Sequence, residues 1–516
     1  MRIQMKHPTP NIQHPTSNGW KTPGMEQLGV GCWMPARDLS ELDVGCSAFA
    51  ALRRGKRFTI GAPASGTARC KNRITPCRRP ALQYIIGLFT ALLWLSATTV
   101  QAETILLQNA IVHTVSGQTF TNGGVLINGE KIELVLNGKD PQRIIADKII
   151  DLHGQHLYPG MIALDTTLGL VEIGAVRATV DVGEVGDYTP DVQSWIAVNP
   201  DSELLPVARA GGITYFEPVP QGSIVSGQSA LVRLDGWTTE QMAVKKQLAL
   251  QVYWPRMELD TTPKEKLSDS SKWKSLDDQD KERRKKLREL QNFFDDARAY
   301  AKAKDAATNN AASPPEKIPA WEAMLPYVRG ESPITIHADE LRQIKSAVAW
   351  VATNHFKIII AGGRDAWLAA DLLATNKVPV IYEHAQAQPA RDTDAYDAQF
   401  KAPEVLRAAG VTVAFSIGGA TLVKNMPNAA AQAVAFGLPA DEAVKGLTLY
   451  PAQIAGVADK LGSIEAGKEA TLFVTDGDLL DIRSNVKRMW IAGKEVSLES
   501  RHTRLYEKYK NRPKPK

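Results

Sequence analysis

The stretch of sequence that decides the fold is Tyr158-Pro159-Gly160-Met161-Ile162-Ala163-Leu164-Asp165-Thr166-Thr167-Leu168-Gly169. Its apolar run, Met161–Leu164, predicts a short buried strand that begins after a Pro-Gly break. The run leads directly into Asp165 and Thr167, so polar side chains follow the strand. Barrels of alternating strands and helices carry their chemistry at the carboxyl ends of the strands. This stretch therefore predicts the first strand of such a barrel and a candidate site beside it.

Seven further apolar runs follow, with helical patterns between them. The eight predicted strands are Met161–Leu164, Ile213–Glu217, Leu231–Leu234, Leu248–Tyr253, Ile334–Ala338, Lys357–Ala361, Val378–Glu383 and Val411–Ser416. The predicted helices include Asp339–Thr353, Asp365–Thr375 and Ala429–Phe436. Strands that alternate with helices form parallel βα units. Eight of them over residues 159–455 predict an α/β protein with a TIM-type (β/α)8 barrel.

One segment, residues 257–330, interrupts this alternation. It contains a run of charged residues from Asp277 to Lys286, and apolar residues then recur at helical spacing. Those residues are Leu287, Leu290, Phe294, Ala297 and Ala301. We predict a charged, amphipathic helical insertion in the barrel.

Both ends of the chain around the barrel have strand patterns. Residues 103–158 contain short apolar runs and an Asn128-Gly129 pair, which is a strong signal for a β-hairpin. Residues 456–498 contain alternating strand patterns separated by glycines, and residues 499–516 form a basic tail. These patterns predict a β-rich unit at each end of the barrel.

Charge is unevenly distributed along the 516 residues. The formal net charge is +5, but residues 1–102 hold 13 Lys+Arg and 4 Asp+Glu, which leaves 48 and 52 for residues 103–516. The part with the barrel pattern is therefore slightly acidic, and we predict no nucleic-acid partner. All four cysteines lie before residue 78, so the remainder contains neither disulfides nor Cys-ligated zinc.

The first 102 residues are predicted to be a targeting region. Residues 1–77 show no periodicity and are interpreted as a disordered or doubtful leader. Residues 78–102 have a basic start, an apolar run from Leu82 to Leu95, and small residues at Val100 and Ala102. This pattern predicts a signal peptide cut after Ala102, a periplasmic or secreted protein, and no membrane span after cleavage. A membrane anchor is the alternative, although the run is shorter than a bilayer requires.

Four segments resemble the metal-dependent amidohydrolase superfamily, and in particular its imidazolonepropionase-like secreted subgroup. They are the opening stretch, Tyr396–Phe436, Thr448–Gly456 and Gly462–Val474. The family's usual spelling of the first is P-G-x-I-D-x-H-x-H-x-G. The resemblance implies that both ends of the mature chain pair into one β-sandwich beside the barrel. It also implies a hydrolase that acts on a non-peptide amide C–N bond, cyclic or linear, of a small-molecule substrate.

The resemblance also implies a metal site, which is degenerate in this chain. Asp165 and Thr167 stand where the family has its first two metal-binding histidines, whereas His337 matches the histidine of strand five. We predict His337, His384 and Asp165 as metal ligands, with zinc the first choice of divalent ion, and Asp165 and Asp339 as catalytic residues. Two functions stay open: a hydrolase with one rebuilt metal site, and a metal-free, non-catalytic binding or interaction protein.

Two polar segments are candidates for substrate binding. Glu172 and Arg177 follow the first barrel strand, where they form either a pocket for a polar ligand or a loop braced by ion pairs. Gln228 belongs to the Gly- and Ser-rich stretch 222–229, whose backbone N–H groups suit an anion or a carbonyl. The alternative for that stretch is a plain turn.

Overall fold

The computed structural model describes residues 103–138, 144–222, 224–308 and 313–513. The chain divides into two units, Met1–Ser96 and Ala97–Lys516, and every described residue belongs to the second. The predicted leader and signal peptide lie outside the described residues. Within the described ranges, no helix has the length and apolar character needed to cross a membrane.

Both ends of the described chain contribute to one sheet of eight strands. Its strands are β1 (Thr104–His113), β2 (Thr119–Asn128), β3 (Lys131–Leu136), β4 (Lys148–Asp151), β5 (His156–Pro159), β16 (Leu472–Thr475), β17 (Val486–Ile491) and β18 (Lys494–Glu495). The order is β18-β17-β16-β5-β1-β2-β3, and β4 pairs with β1. The predicted hairpin at Asn128-Gly129 joins β2 to β3, with Asn128 opposite Lys131.

The pairing of β5 with β16 joins the two ends of the chain. Leu157 lies opposite Val474 in an antiparallel ladder, and the Ile132 N–H of β3 donates to the Lys468 carbonyl at 2.9 Å. The sheet therefore curls, and its edge strand β3 contacts the segment that leads into β16. A hydrophobic core of its own, which includes Leu107, Ile127 and Trp490, lies inside this curl. One curled sheet, rather than two separate sheets, accounts for the described terminal strands.

The remaining ten strands form two sheets. They are β6 (Met161–Thr166), β7 (Ile213–Pro218), β8 (Val225–Gln228), β9 (Leu231–Arg233), β10 (Ala243–Lys245), β11 (Leu250–Tyr253), β12 (Ile334–Ala338), β13 (Ile358–Gly362), β14 (Val380–Tyr382) and β15 (Val413–Phe415). One sheet has the order β10-β9-β7-β6, and the other has the order β15-β14-β13-β12-β11-β8. Each of the eight predicted barrel strands overlaps an observed strand. The architecture is mixed α/β.

The prediction of eight parallel strands is wrong for the third one. The pair β6–β7 and the run β11 to β15 are parallel, but β9 is antiparallel to β7 and β8 is antiparallel to β11. The physical reason is the length of the connection. A parallel strand requires a crossover of about a dozen residues or more. Only residues 219–224 separate β7 from β8, and β8 leads into β9 through Ser229 and Ala230, so the chain turns back and both β8 and β9 run in the reverse direction.

No ladder between β15 and β6 closes the barrel among the described residues. Single hydrogen bonds join the two strand ends instead. The Thr167 N–H donates to the Gly418 carbonyl at 2.8 Å, and the Ser416 hydroxyl donates to the Leu164 carbonyl at 2.5 Å. The carboxyl ends of β6 and β15 are therefore held side by side without a regular ladder.

Helices cover the outside of these sheets. The α-helices are α1 (Leu204–Ala210), α2 (Thr239–Met242), α3 (Leu276–Thr308), α4 (Pro319–Val328), α5 (Leu341–Asn354), α6 (Ala370–Thr375), α7 (Ala398–Ala408), α8 (Met426–Ala435), α9 (Ala440–Leu447), α10 (Leu449–Ile454) and α11 (Arg501–Lys510). Short 3-10 helices occur at Arg177–Thr179, Ser194–Ile196, Lys264–Lys266, Ser270–Lys272, Ala366–Ala369 and Val423–Asn425.

The longest helix, α3, lies in the segment predicted as a charged insertion. It buries Leu290, Phe294 and Ala297 and leaves most of its charged residues exposed or half-buried. Phe294 packs edge-on against Trp350 of α5, with ring centroids 4.9 Å apart. This apolar stripe fixes the insertion against the barrel.

Gly160 connects the terminal sheet to β6, and we expect Gly160→Ala to destabilise the fold. A Cβ at this position would lie 2.2 Å from Thr214 Oγ1 and 2.6 Å from Thr471 Cγ2. Overpacking of this kind costs about 1–3 kcal/mol. Urea unfolding measures the loss, with Gly174→Ala as the matched control, because a Cβ at Gly174 meets nothing within 4 Å. Equal midpoints for the two variants would contradict the tight junction.

His113 makes the stability of the terminal sheet depend on pH. Burial and the charge of His156, partly opposed by Asp478, together lower the pKa of His113 to about 4. An unfolded histidine takes up a proton at about pH 6.5, so the unfolded chain binds more protons between pH 6.5 and 4. We therefore expect the free energy of unfolding to fall over this range by about 1–2 kcal/mol, allowing for partial exposure.

Urea unfolding of the wild type and His113→Gln at about pH 7 and about pH 5 measures this effect. The variant should lose less stability on acidification than the wild type. His153→Gln is the control, because the side chain of His153 is exposed. An identical pH dependence in the wild type and His113→Gln would contradict the assignment.

Candidate active site

The carboxyl ends of the parallel strands bring several polar side chains together. Asp165 lies near the end of β6, Glu217 near the end of β7, and His337 near the end of β12, while Glu383 follows β14 directly. Such strand ends meet at one edge of the sheets, which is where barrel enzymes hold their chemistry. Asp165 has a φ of +51°, a left-handed conformation that is unusual inside a strand. The fold therefore holds the Asp165 carboxyl group at the end of β6 through a strained backbone conformation.

A buried hydrogen-bond network supports the cluster. Glu217 accepts from the Asp165 N–H at 3.1 Å and from the Ser229 hydroxyl at 2.5 Å. The Gln251 amide nitrogen donates to Ser229 at 2.8 Å, and its amide oxygen lies 2.8 Å from His337 Nε2. His337 Nε2 then carries the hydrogen, and Nδ1 faces Asp165 Oδ2 at 3.5 Å. One chain of bonds thus links the first, second, fourth and fifth predicted barrel strands.

Burial changes the proton affinities of this network. It raises the pKa of Glu217 to about 7; the Ser229 hydrogen bond opposes this shift and the charge of Asp165 adds to it. Burial also lowers the pKa of His337, which the negative charges of Asp165 and Asp339 oppose. A carboxyl and an imidazole with such shifts favour their neutral forms. Buried side chains shifted in this way are frequent at functional sites.

Two carboxyl groups, those of Glu383 and Asp165, lie beside each other at the strand ends. Burial, together with the charge of Asp165, raises the pKa of Glu383 well above its ordinary value. Adjacent carboxylates repel each other when both are ionised, so this arrangement favours the protonated form of Glu383. Gly418 lies beside the pair, since a Cβ there would be 3.3 Å from Glu383 Oε1. The pair is therefore a store for one proton at the strand ends.

A second pair, Asp339 and His384, adjoins the first and opens to solvent. His384 Nε2 lies 2.8 Å from Asp339 Oδ1, and the Asp339 side chain is 43% exposed. Burial alone would raise the pKa of Asp339, but the hydrogen bond and charge of His384, together with the backbone N–H and charge of Arg364, outweigh it, so the pKa is lower than usual. Gly362 allows this approach, because a Cβ there would lie 2.7 Å from Asp339 Oδ1. A ligand can therefore reach the cluster from the Asp339 side.

Tyr253 forms a wall behind His337. The two rings stack with centroids 4.0 Å apart and planes within 5°. The Tyr253 hydroxyl donates to the Pro220 carbonyl at 3.3 Å, and burial raises the pKa of Tyr253 well above its ordinary value. The ring therefore stays neutral and fixes the orientation of the imidazole.

The structure gathers four of the predicted site residues into this cluster, namely Asp165, His337, Asp339 and His384. It does not bring the other three there. Glu172 accepts a hydrogen bond from Asn199 at 3.4 Å, and Arg177 is exposed in a 3-10 helix. Gln228 is buried and donates to the Pro190 carbonyl at 2.9 Å. Gln228 directly precedes Ser229, whose hydroxyl donates to Glu217 of the cluster. Because neighbouring side chains along an extended chain point to opposite faces, the side chain of Gln228 points away from the cluster.

Sequence reasoning missed three residues of the cluster: Glu217, Gln251 and Glu383. Each had a local signal. Glu217 ends an apolar run, Gln251 is a polar residue inside a buried strand, and Glu383 directly precedes His384. A polar side chain that is fully buried within a strand needs a partner, which is itself an indication of a network.

The cluster does not fit the predicted metal centre. Within the described ranges, no three His, Cys, Asp or Glu side chains are placed to hold one ion. His337 Nε2 is bonded to Gln251 and His384 Nε2 to Asp339, so the two imidazoles belong to separate pairs. A catalytic zinc site needs three protein ligands at about 2.0–2.2 Å from one point. The donors here form two separate pairs instead, His337 with Asp165 and His384 with Asp339.

Comparison with known proteins gives one family match. Residues 331–496 match the model of the amidohydrolase family. Amidohydrolase tasK from Hapsidospora irregularis is 23% identical over 400 residues, which is 72% of this chain and 39% of the relative. This chain therefore corresponds to well under half of that longer protein.

Solved structures extend the comparison to the fold. An amidohydrolase from Thermotoga maritima is 27% identical with a TM-score of 0.67, over 76% of this chain and 99% of that one. An adenosine deaminase from Xanthomonas campestris with bound zinc is 15% identical with a TM-score of 0.42, over 76% and 92% of the two chains. The second is too distant to transfer any residue.

From the donor arrangement we expect purified protein to contain far less than one zinc, iron or manganese per chain. Metal analysis by plasma mass spectrometry checks this, before and after dialysis against a chelator. The thermal midpoint should change little on dialysis, because no ligand set depends on the ion. One tightly held ion per chain, with a large loss of stability on its removal, would contradict the arrangement.

Proposed function

Because the chain belongs to the amidohydrolase superfamily, we propose that it hydrolyses a non-peptide amide C–N bond, cyclic or linear, at the strand-end cluster. The superfamily is typically metal-dependent, whereas the proposed chemistry uses side chains alone. The observation that carries the proposal is the adjacent carboxyl pair Asp165–Glu383 beside the solvent-open pair Asp339–His384. These two pairs supply a proton donor and a proton acceptor on one exposed face.

His384 is the proposed general base. Asp339 holds one ring nitrogen, which leaves the other free to take a proton from water. The resulting hydroxide adds to the amide carbonyl, and the imidazolium is stabilised by the adjacent carboxylate, as in Asp–His pairs of other hydrolases. The exposed side of Asp339 provides access for both water and substrate.

Glu383 is the proposed general acid. The proton that burial and the charge of Asp165 keep on Glu383 passes to the leaving amine nitrogen as the C–N bond breaks. After release of the acid and amine, the proton on His384 returns to the carboxyl pair through water. Each cycle consumes one water molecule, and the side chains regain their starting protonation.

Glu217, Gln251 and His337 are proposed as positioning residues. They bond to one another and to the backbone and side chain of Asp165; Glu217 and Gln251 are buried, and His337 is half-buried. Their hydrogen bonds fix the position of the carboxyl pair, because a fully satisfied buried network is rigid.

Export and full barrel closure are further parts of the proposal. The signal-like sequence of residues 78–102 and the absence of cysteine after residue 77 support a periplasmic or secreted enzyme. The succession of strands from β6 to β15 supports an eight-membered barrel, and the curled terminal sheet supports the sandwich implied by the imidazolonepropionase-like resemblance.

Amine release from N-acyl amino acids, lactams and cyclic imides, followed by fluorescamine, tests the proposal. Glu383→Gln and His384→Gln should each lower kcat by about 100-fold or more, since each removes a proton-transfer group. Asp371→Asn, an exposed carboxyl on α6, is the matched control and should retain wild-type activity. Wild-type turnover by Glu383→Gln and His384→Gln would place the chemistry elsewhere.

A further inference from the structure

Arg364 is a charged residue beside the strand-end cluster that has no part in the proposed proton transfers. It lies on the loop that follows β13, and its backbone N–H donates to Asp339 Oδ1 at 3.3 Å. The same oxygen lies 2.8 Å from Nε2 of His384, the proposed general base. Only the carboxyl group of Asp339 therefore separates the backbone of Arg364 from that base.

The loop that carries Arg364 is fixed to the end of β12. The Gly363 N–H donates to the Ala338 carbonyl at 3.1 Å, and the Asp365 N–H donates to the Asp339 carbonyl at 2.9 Å. Together with the N–H of Arg364, successive backbone donors hold this loop against β12. A side chain on such a fixed backbone starts from a defined position at the site.

The Arg364 guanidinium has no partner among the described residues. No hydrogen bond or ion pair formed within the described ranges includes one of its side-chain nitrogens. Its Nε is buried, but Nη1 and Nη2 are not among the buried atoms without a partner, so a ligand can reach them. The neighbouring carboxyl group of Asp365 is already taken, because both of its oxygens bond to Arg391. The terminal nitrogens of this half-buried cation are therefore available to a ligand.

The charge of Arg364 acts on the site. Burial raises the pKa of Asp339, but the hydrogen bond and charge of His384, followed by the backbone N–H and charge of Arg364, lower it overall. Because Coulomb interactions weaken with distance and in water, this effect places the guanidinium near Asp339. The two groups do not form an ion pair within the described residues, so Asp339 leaves the guanidinium free.

An unpaired guanidinium at this position favours an anionic ligand. Arginine presents its N–H donors in a planar fork that matches the two oxygens of a carboxylate. Partial burial of such a cation without a partner costs free energy, which a bidentate anion offsets. Burial raises the pKa of Glu217 and of Glu383, so both carboxyl groups favour the neutral form and repel an anion only weakly.

We infer that Arg364 binds a carboxylate of the substrate, and that this carboxylate lies close to the scissile amide. The inference rests on the proposed amide hydrolysis and names its substrate class, an amide that bears a free carboxylate. Nη1 and Nη2 donate to the two carboxylate oxygens, while His384 and Glu383 act on the adjacent C–N bond. Arg364 thereby determines which amides bind, and it transfers no proton.

Binding without turnover is the first test, with levulinate as the probe. Levulinate is N-acetylglycine with a methylene group in place of the amide N–H, so it has no C–N bond to cleave. Isothermal titration should show that levulinate binds more weakly as salt is added, and that methyl levulinate, which is neutral, binds at least about tenfold more weakly. Arg364→Gln should lose at least about tenfold in affinity for levulinate, and Arg364→Lys should lose less, because lysine keeps the charge without the fork.

Arg342→Gln is the matched control. Arg342 is an exposed arginine of α5 that forms no ion pair within the described ranges, so this variant should bind levulinate as the wild type does. Equal affinity of the wild type and Arg364→Gln for levulinate would overturn the inference. So would equal affinity of the wild type for levulinate and methyl levulinate, a comparison that holds even where Arg364→Gln fails to fold.

Steady-state kinetics is the second test. N-acetylglycine carries its carboxylate on the amine side of the amide, N-methylsuccinamate carries it on the acyl side, and N-methylacetamide has none. Relative to N-methylacetamide, Arg364→Gln should raise KM about tenfold or more for at least one of the two acids, and the acid affected identifies the side. An equal loss for all three amides would mean that Arg364 acts only through Asp339, which would overturn the inference. If the wild type cleaves none of them, the proposed hydrolysis fails for this class, and the titration alone decides the carboxylate site.

Discussion

The closeness of the carboxyl groups of Asp165 and Glu383 is the constraint on which the rest of the site depends. Burial and the charge of Asp165 raise the pKa of Glu383, so a protonated Glu383 lies at the centre of the cluster. The Asp165 backbone has a left-handed φ and its N–H is held by Glu217, which keeps the carboxyl at the end of β6. The ends of β6, β7 and β14 are thereby fixed relative to one another.

The family resemblance predicted where Asp165 and His337 lie, but it did not predict the hydrogen-bond partners that set their chemistry. The motif around Gly160 places Asp165 at a strand end, and the strand pattern places His337 on a neighbouring edge of the same face. Their partners could not be found in the same way. Glu217 and Gln251 meet Asp165 and His337 through bonds between residues 52 and 86 positions apart, and these follow only from the order of strands in the sheets.

The third barrel strand shows a different limit of sequence patterns. Alternating or continuous apolar runs identify strands but carry no information on their direction. The length of the connection between Pro218 and Val225 does carry information on direction, because so short a connection cannot form a parallel crossover. The reversed direction matters for the site. Ser229 lies between β8 and β9, and its hydroxyl donates to Glu217 at 2.5 Å.

Charge compensation explains how the cluster tolerates burial. Where barrel carboxylates bind a metal, the ion supplies the positive charge that makes their burial tolerable. In this chain burial raises the pKa of Glu217 and of Glu383, so both carboxyl groups favour the neutral form, and Asp339 is paired with His384. Asp165 Oδ2 faces His337 Nδ1 at 3.5 Å. Protons and imidazoles therefore do for these carboxyl groups what an ion does elsewhere, and the proton kept on Glu383 is one that the site can transfer.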